Sequence, residues 1–235
     1  MGQKVHPRAF RLGNTATWDG KWFARGKKFT TFLRQDVEIR KFLRERFRDA
    51  SLARVEIERS PSAITIILYT GKPGLIIGRG GSGVEELRKT LEKNFFPHRT
   101  NVKMNVSIKE VERPLATAQI VVMGIVLDIE KRIPFRRTMR RALEQIMKAG
   151  AKGAKVTLGG RLDGAEIART ETLIRGTIPL HTLRSNIDFG RAAAKTTYGT
   201  VGVKVWVNHG EVFSKIEDVV TSAPSPRRTH AGVRR

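Results

Sequence analysis

The chain contains no cysteine in its 235 residues. Disulfides and thiolate-ligated zinc are thereby excluded, and the absence fits a reducing compartment. Long apolar runs are missing too. The longest, Ile120 to Leu127, falls far short of the roughly 18–20 residues that span a bilayer. The opening Met1-Gly-Gln-Lys-Val-His-Pro has no apolar core, so neither a cleaved secretory signal nor a membrane anchor is expected. Acid is scarce: 22 Asp and Glu stand against 45 Lys and Arg, a net charge of +23. Such an excess repels itself unless a polyanion compensates, which points to nucleic acid or an anionic surface. With 40% hydrophobic residues, real cores are still available, and the length suits one large or two modest domains. The composition describes a soluble, intracellular protein that faces a polyanion.

Residues 1–28 are basic, Gly-containing and without a clean period, and read as an extended arm. From Thr30 a helical pattern places Phe32, Leu33, Val37, Phe42, Leu43 and Phe47 at three-to-five spacing. Arg54 to Arg59 alternates as a strand, Ser60 to Ala63 turns, and Ile64 to Tyr69 forms a second strand. A short helix, Pro73 to Ile77, runs into Gly78-Arg79-Gly80-Gly81, followed by a longer helix with Val84, Leu87 and Leu91 inward. Asn101 to Ile108 closes the unit with alternating Val102, Met104, Val106 and Ile108. Glu112-Arg113-Pro114 marks a joint. Two helices are expected beyond it, Pro114 to about Arg132 and Pro134 to about Ala149, the second ended by Gly150. Strands then follow at Lys155–Leu158, Ala165–Arg175, Thr182–Phe189 and Thr197–Val207. The fold class is α+β, with 29–110 as one domain, 111–211 as a second of two helices on a mostly antiparallel sheet, and 212–235 as a basic tail, disordered until bound.

Two stretches carry chemistry. The loop Gly78-Arg79-Gly80-Gly81 between two short helices has the GXXG architecture of a KH domain. Its glycines let the backbone approach a sugar-phosphate chain, and the next helix supplies free N–H groups. Gly78, Gly80 and Gly83 also satisfy G-x-G-x-x-G. A dinucleotide site, however, needs a preceding strand and an acid some 20 positions on, and residues 97–104 contain none. A purely structural glycine turn is the plainer alternative. The second stretch is the helix Pro134 to Ala149, where Phe135, Met139, Leu143 and Ile146 gather on one side and Arg136, Arg137, Arg140 and Arg141 spread over the adjoining arc. Between Lys131 and Arg161 ten basic residues face one acid, Glu144. A solvated face normally mixes signs, so a phosphate-facing surface is the better reading of this one.

Residues 1–48 hold thirteen Lys and Arg against four acids, an RNA-hugging extension or simply a soluble one. Trp18, Trp22 and Trp206 could stack on bases or anchor the arm and core. Asp163, Glu166 and Glu171 read as internal partners for Arg161, Arg169 and Arg175. Catalytic constellations are lacking. The histidines are scattered, and no G-x-x-x-x-G-K-[ST] loop is present, so neither metal, cofactor nor enzymatic activity is expected.

Longer motifs narrow the reading. Gly2-Gln-Lys-Val-His-Pro with Arg11-Leu12-Gly13, Gly71-Lys-Pro-Gly74 leading into Ile77-Gly78-Arg79-Gly80-Gly81, and Phe135-Arg-Arg-Thr-Met-Arg140 recur in one family. So do Gly160-Arg-Leu-Asp-Gly-Ala-Glu-Ile-Ala-Arg-Thr-Glu171, Pro179-Leu-His-Thr-Leu-Arg184 and Thr197-Tyr-Gly-Thr-Val-Gly-Val-Lys-Val-Trp206. From Gly2 to about Glu211 the chain resembles the bacterial-type small-subunit ribosomal protein number three. The resemblance implies a type II KH domain (α-β-β-α-α-β) followed by a C-terminal α/β domain. It also implies a cytoplasmic, ribosome-bound protein in the head of the small subunit, on 16S rRNA. Small-subunit proteins ten and fourteen are its implied neighbours, with four and five completing the channel through which mRNA enters. It further implies that Arg136, Arg137 and Arg140 line that channel and support unwinding of structured mRNA. The loop Gly78, Arg79, Gly80 and Gly81 is the implied KH contact. Lys4, Arg8, Arg11, Lys27, Lys28 and Arg161 are candidate rRNA contacts. Gly80 occupies a position that is basic in many members, which implies a weaker grip there, and residues 213–235 match no family motif.

Overall fold

The computed structural model describes residues 4–96 and 103–213. The tail beyond 213, the expected strand start at Asn101 and Val102, and Gly2 and Gln3 of the opening motif lie outside them.

The first sheet has the order β1-β2-β3-β4. Its strands are β1 (Gly20–Lys21), β2 (Leu52–Arg59), β3 (Ala63–Thr70) and β4 (Lys103–Glu110). β2 and β3 run antiparallel, with Val55 opposite Leu68 and Ile57 opposite Ile66, whereas β3 and β4 are parallel. Helices contribute the rest of this core, chiefly α2 (Lys27–Arg46) and α4 (Ser82–Phe95), with Ile76 from the short helix between β3 and α4. Ile39, Leu43, Ile57, Ile66, Leu68, Leu87 and Leu91 are fully enclosed in it. Between β3 and α4 lies α3 (Pro73–Ile77), so the order α-β-β-α-α-β expected of a type II KH unit is present.

The second sheet, order β6-β5-β8-β7, is antiparallel throughout. It comprises β5 (Gly153–Gly160), β6 (Arg169–Gly176), β7 (Ser185–Thr196) and β8 (Gly199–Glu211). α5 (Ala118–Glu130) and α6 (Phe135–Lys148) contribute Val122, Ile125, Met139 and Ile146 to its core. The alternating Val201, Val203, Val205 and Val207 all point into that core, as their period requires.

Several boundaries differ from those expected. The helix anticipated from Pro114 opens as a single 3₁₀ turn, and α5 proper starts at Ala118, whose N–H donates to Asp188 Oδ2 of β7 at 2.7 Å. The cap thus comes from a strand 70 residues downstream. The third strand of this region, expected over Thr182–Phe189, instead runs from Ser185 through Ala192, Ala193 and Ala194 to Thr196. β6 begins at Arg169 rather than Ala165, because Leu162–Gly164 forms a 3₁₀ turn.

The arm is not loose. α1 (Pro7–Phe10) is capped by His6, whose Nδ1 accepts the Ala9 N–H at 3.3 Å, and β1 pairs in parallel with β2. Trp22 fixes the following segment: its Nε1 donates to Asp36 at 2.8 Å, and its ring packs on Phe29 and Phe32. Anchoring, not base stacking, is the role of this tryptophan. Trp206 likewise packs on Phe189, with the Lys155 ammonium over its ring.

Candidate nucleic-acid interface

The glycine loop is built by close approach of two helices. A Cβ on Gly83 would lie 2.5 Å from the Ile76 carbonyl oxygen, so α4 can start against the end of α3 only with glycine there. Gly78, Gly80 and Gly81 take positive φ values of 71°, 61° and 84°, which turn the chain between the helices. Gly81 occupies the N-cap of α4 with no side chain capping it. Arg79 is exposed at the tip, and exposed Leu75 and Ile77 flank the turn. A Cβ on Gly80 would meet open space, so the backbone angle and not crowding is what favours glycine there. Open backbone, one exposed guanidinium and an apolar shoulder together suit a nucleotide chain.

On α6 the buried stripe is Phe135, Met139, Leu143 and Ile146, joined by Thr138 and Ala142. The opposite face exposes Arg136, Arg137, Arg140 and Arg141. Arg136 reaches Glu171 only at 3.9 Å and Arg141 reaches Asp128 at 3.7 Å. Arg137 and Arg140 meet no protein partner among the described residues. Two of these arginines stand in the first turn of a helix with neither acid nor side-chain cap there, where positive charge opposes the helix dipole. The positions are poor for stability and good for an anion.

Residues 38–116 match the model of the KH domain, and residues 125–207 match that of the ribosomal protein S3 C-terminal domain. The chain is 46% identical over 223 residues to small ribosomal subunit protein uS3 of Pelotomaculum thermopropionicum, covering 95% of this chain and 94% of that protein. It is 47% identical to the same protein of Caldanaerobacter subterraneus, over 94% of this chain and 98% of the relative. For Clostridium novyi the identity is 49%, over 91% and 95%. The chain belongs to the uS3 family. Its fold is accordingly a KH domain followed by the S3 C-terminal domain.

Within this uS3 framework the other candidate contacts divide. Lys4, Lys27 and Lys28 are exposed, the last two in the first turn of α2. Arg8 is held by Asp19 at 2.6 Å and reaches the Thr17 carbonyl. Arg11, expected on RNA, is 1% exposed. Its guanidinium donates to five carbonyl oxygens: Ser185 at 2.6 Å, Pro7 and Thr182 at 2.9 Å, Leu180 at 3.0 Å and Pro179 at 3.3 Å. It cannot reach RNA, and it ties the arm to the second domain instead. Burial pushes its pKa down. Arg161 is similarly directed at the Ala165 and Tyr198 carbonyls, not at an acid, and Glu171 faces Arg136 instead. Lys155, beside Trp206, has its pKa lowered first by burial and then by the approach of Lys4.

Sequence reasoning missed the most connected carboxylate. Asp36 is 1% exposed and accepts from Trp22 and from Arg59, with Arg40 at 3.9 Å. Nothing in its local pattern marks it, except that an acid on the inner face of a basic helix must be paired. No group of three or more His, Cys, Asp or Glu that could hold a metal occurs among the described residues, and no helix there is long and apolar enough to cross a membrane.

Proposed function

We propose that this chain is a structural component of the head of the small ribosomal subunit. In this reading it binds 16S rRNA, lines the channel through which mRNA enters and supports unwinding of structured mRNA during translation. Arg137 and Arg140, exposed and unpaired beside loosely held Arg136, carry the reading. Three guanidiniums on one helix face present forks to passing phosphates, with only the long Arg136–Glu171 contact at 3.9 Å to displace. The loop Gly78–Gly81, Lys4, Lys27 and Lys28 add contacts to rRNA. The work is electrostatic binding, with no catalytic step assigned. Small-subunit proteins ten, fourteen, four and five are the neighbours in this reading, in the cytoplasm. The chain divides functionally into arm (1–28), KH unit (29–110), second domain (111–211) and tail (212–235).

The test is translation by reconstituted ribosomes carrying Arg136→Ala, Arg137→Ala and Arg140→Ala together. Assembly should be normal and progress through a stable hairpin slower. Unchanged progress through the hairpin would remove the channel role. A sucrose gradient of native lysate after a moderate-salt wash checks the broader placement, which requires near-stoichiometric migration with the small subunit.

A further inference from the structure

A cleft of about 900 Å³ lies where the arm, the KH unit and the second domain meet. That volume is within the range of small-ligand sites, roughly 300–1,000 Å³. Six arginines and two aspartates line it. Both acids are already engaged: Asp19 holds Arg8 and Arg54, and Asp188 accepts the N–H groups of Ala118 and Phe189. Two of the six guanidiniums are left over. Arg44, at the end of α2, and Arg191, on β7, are exposed and have no protein partner among the described residues. They come from different domains, one from α2 and the other from β7. The buried Nε of Arg40, on the α2 wall, also lacks a hydrogen-bond partner there. At the rim the Trp18 indole stands 67% exposed, held by a segment fixed through its neighbour Asp19. An exposed indole beside unpaired guanidiniums matches the two halves of a nucleotide: a base that stacks and a phosphate that takes forked donors.

We infer that this interdomain cleft is a nucleotide-binding site, in which one unit of an RNA strand lays its base on Trp18 and its phosphate between Arg44 and Arg191. The inference rests on the proposed function only insofar as the chain binds RNA, since the cleft shares no residue with the glycine loop or with α6. A strand seated there would bridge the KH unit and the second domain and fix their relative position. An acidic peptide would satisfy the arginines but leave the indole without a stacking partner.

The full-length purified chain is the material for the test, with a short unstructured RNA carrying 5-iodouridine as the probe. Photo-crosslinks should map to Trp18 and weaken about fivefold or more in Arg44→Gln/Arg191→Gln, the scale of losing at least one charge-assisted hydrogen bond to the phosphate. Arg44→Lys/Arg191→Lys should keep most of the signal, and both pairs should retain the parent's melting curve, since the side chains are exposed. Crosslinks confined to residues 75–81 and 136–140 would overturn the cleft site while leaving RNA binding intact. No crosslink anywhere would overturn both readings. Displacement of the Trp18 crosslink by polyglutamate as readily as by unlabelled RNA would overturn the nucleotide assignment, because the cleft would then be reading charge alone. Persistence in excess adenosine monophosphate assigns the site to a strand, and displacement by it assigns the same site to free nucleotides.

Discussion

In the arm and the α2–β2 layer, most arginines are held, Arg44 being an exception: Asp19 takes Arg8 and Arg54, Asp36 takes Arg59, and five carbonyls enclose Arg11. On α6, four arginines in six positions find only two carboxylates, at 3.7 and 3.9 Å. Both stretches are strongly basic, so charge density does not separate them. What separates them is the supply of acceptors. Arginine surrounded by acceptors acts as internal scaffolding, and arginine deprived of them keeps its donors open to solvent.

The contrast is open to attack at its strongest point first. Asp36→Ala would leave the nearly enclosed Arg59 guanidinium without its carboxylate and Trp22 without its acceptor. Urea unfolding should register a loss of about 3–5 kcal/mol, the usual result of orphaning a buried charge. A loss below about 1 kcal/mol would mean that the N-terminal arginines are not structural after all. Next in size is Arg11→Ala, which strands several carbonyls at the arm junction. About 3 kcal/mol should disappear, with the arm becoming protease-sensitive before the sheets do. By contrast, the combined alanine variant at 136, 137 and 140 should change stability by no more than about 0.5 kcal/mol, with any gain coming from relief at the helix N-terminus. For its binding to single-stranded RNA, the slope of log affinity against log salt should become shallower by about 2, since each phosphate no longer neutralised removes about 0.7.

The smallest effect concerns His6, which touches both groups of the arm's partners. Its pKa is lowered from the ordinary 6.5, first by burial and then by Arg191 on β7 and Arg8 on α1, and its ring stands edge-on to Phe189 with centroids 4.8 Å apart. A lowered pKa means that the folded state holds fewer protons than the unfolded state. The stability linked to this group is therefore complete above 6.5 and lost as pH falls through the folded value. Protonation at Nδ1 also abolishes the acceptor that caps Ala9. Protection of the Ala9 and Phe10 amides from hydrogen exchange should fall on acidification, and His6→Ala should flatten that dependence.

Most of the elements are legible from periodicity, because Val203, Val205 and Val207, or Met104 and Val106, need only their immediate alternation to declare a strand. The end of β7 is opaque for the opposite reason. Ala192–Ala194 suggests nothing extended, and it is strand because it pairs with Val201–Val203 of β8, while α5 lies so close that a Cβ on Gly190 would sit 2.8 Å from the Ala118 carbonyl. Small residues there serve a helix seventy positions away in sequence. The α6 face is legible because its signal is local, a one-sided stripe with a single acid nearby. Arg11 and Arg161 are not, since the carbonyls that hold them are set by tertiary structure and carry no side-chain signature. Arg44 and Arg191 carry no local signal either, because only the fold brings the two domains that bear them to one cleft.

The junction at Arg11 also sets a schedule. Its partners at Pro179 to Ser185 lie 168–174 residues downstream. At typical translation rates of about 5–20 residues per second, the arm would leave the ribosome that makes it roughly 10–35 seconds before its dock is synthesised. Through that interval the start of the arm, with Arg11, lacks its dock on the second domain, although β1 and Trp22 already have partners in the KH unit. It is then free to meet polyanions it will later be held away from, and its sequestration comes among the last long-range closures of the fold.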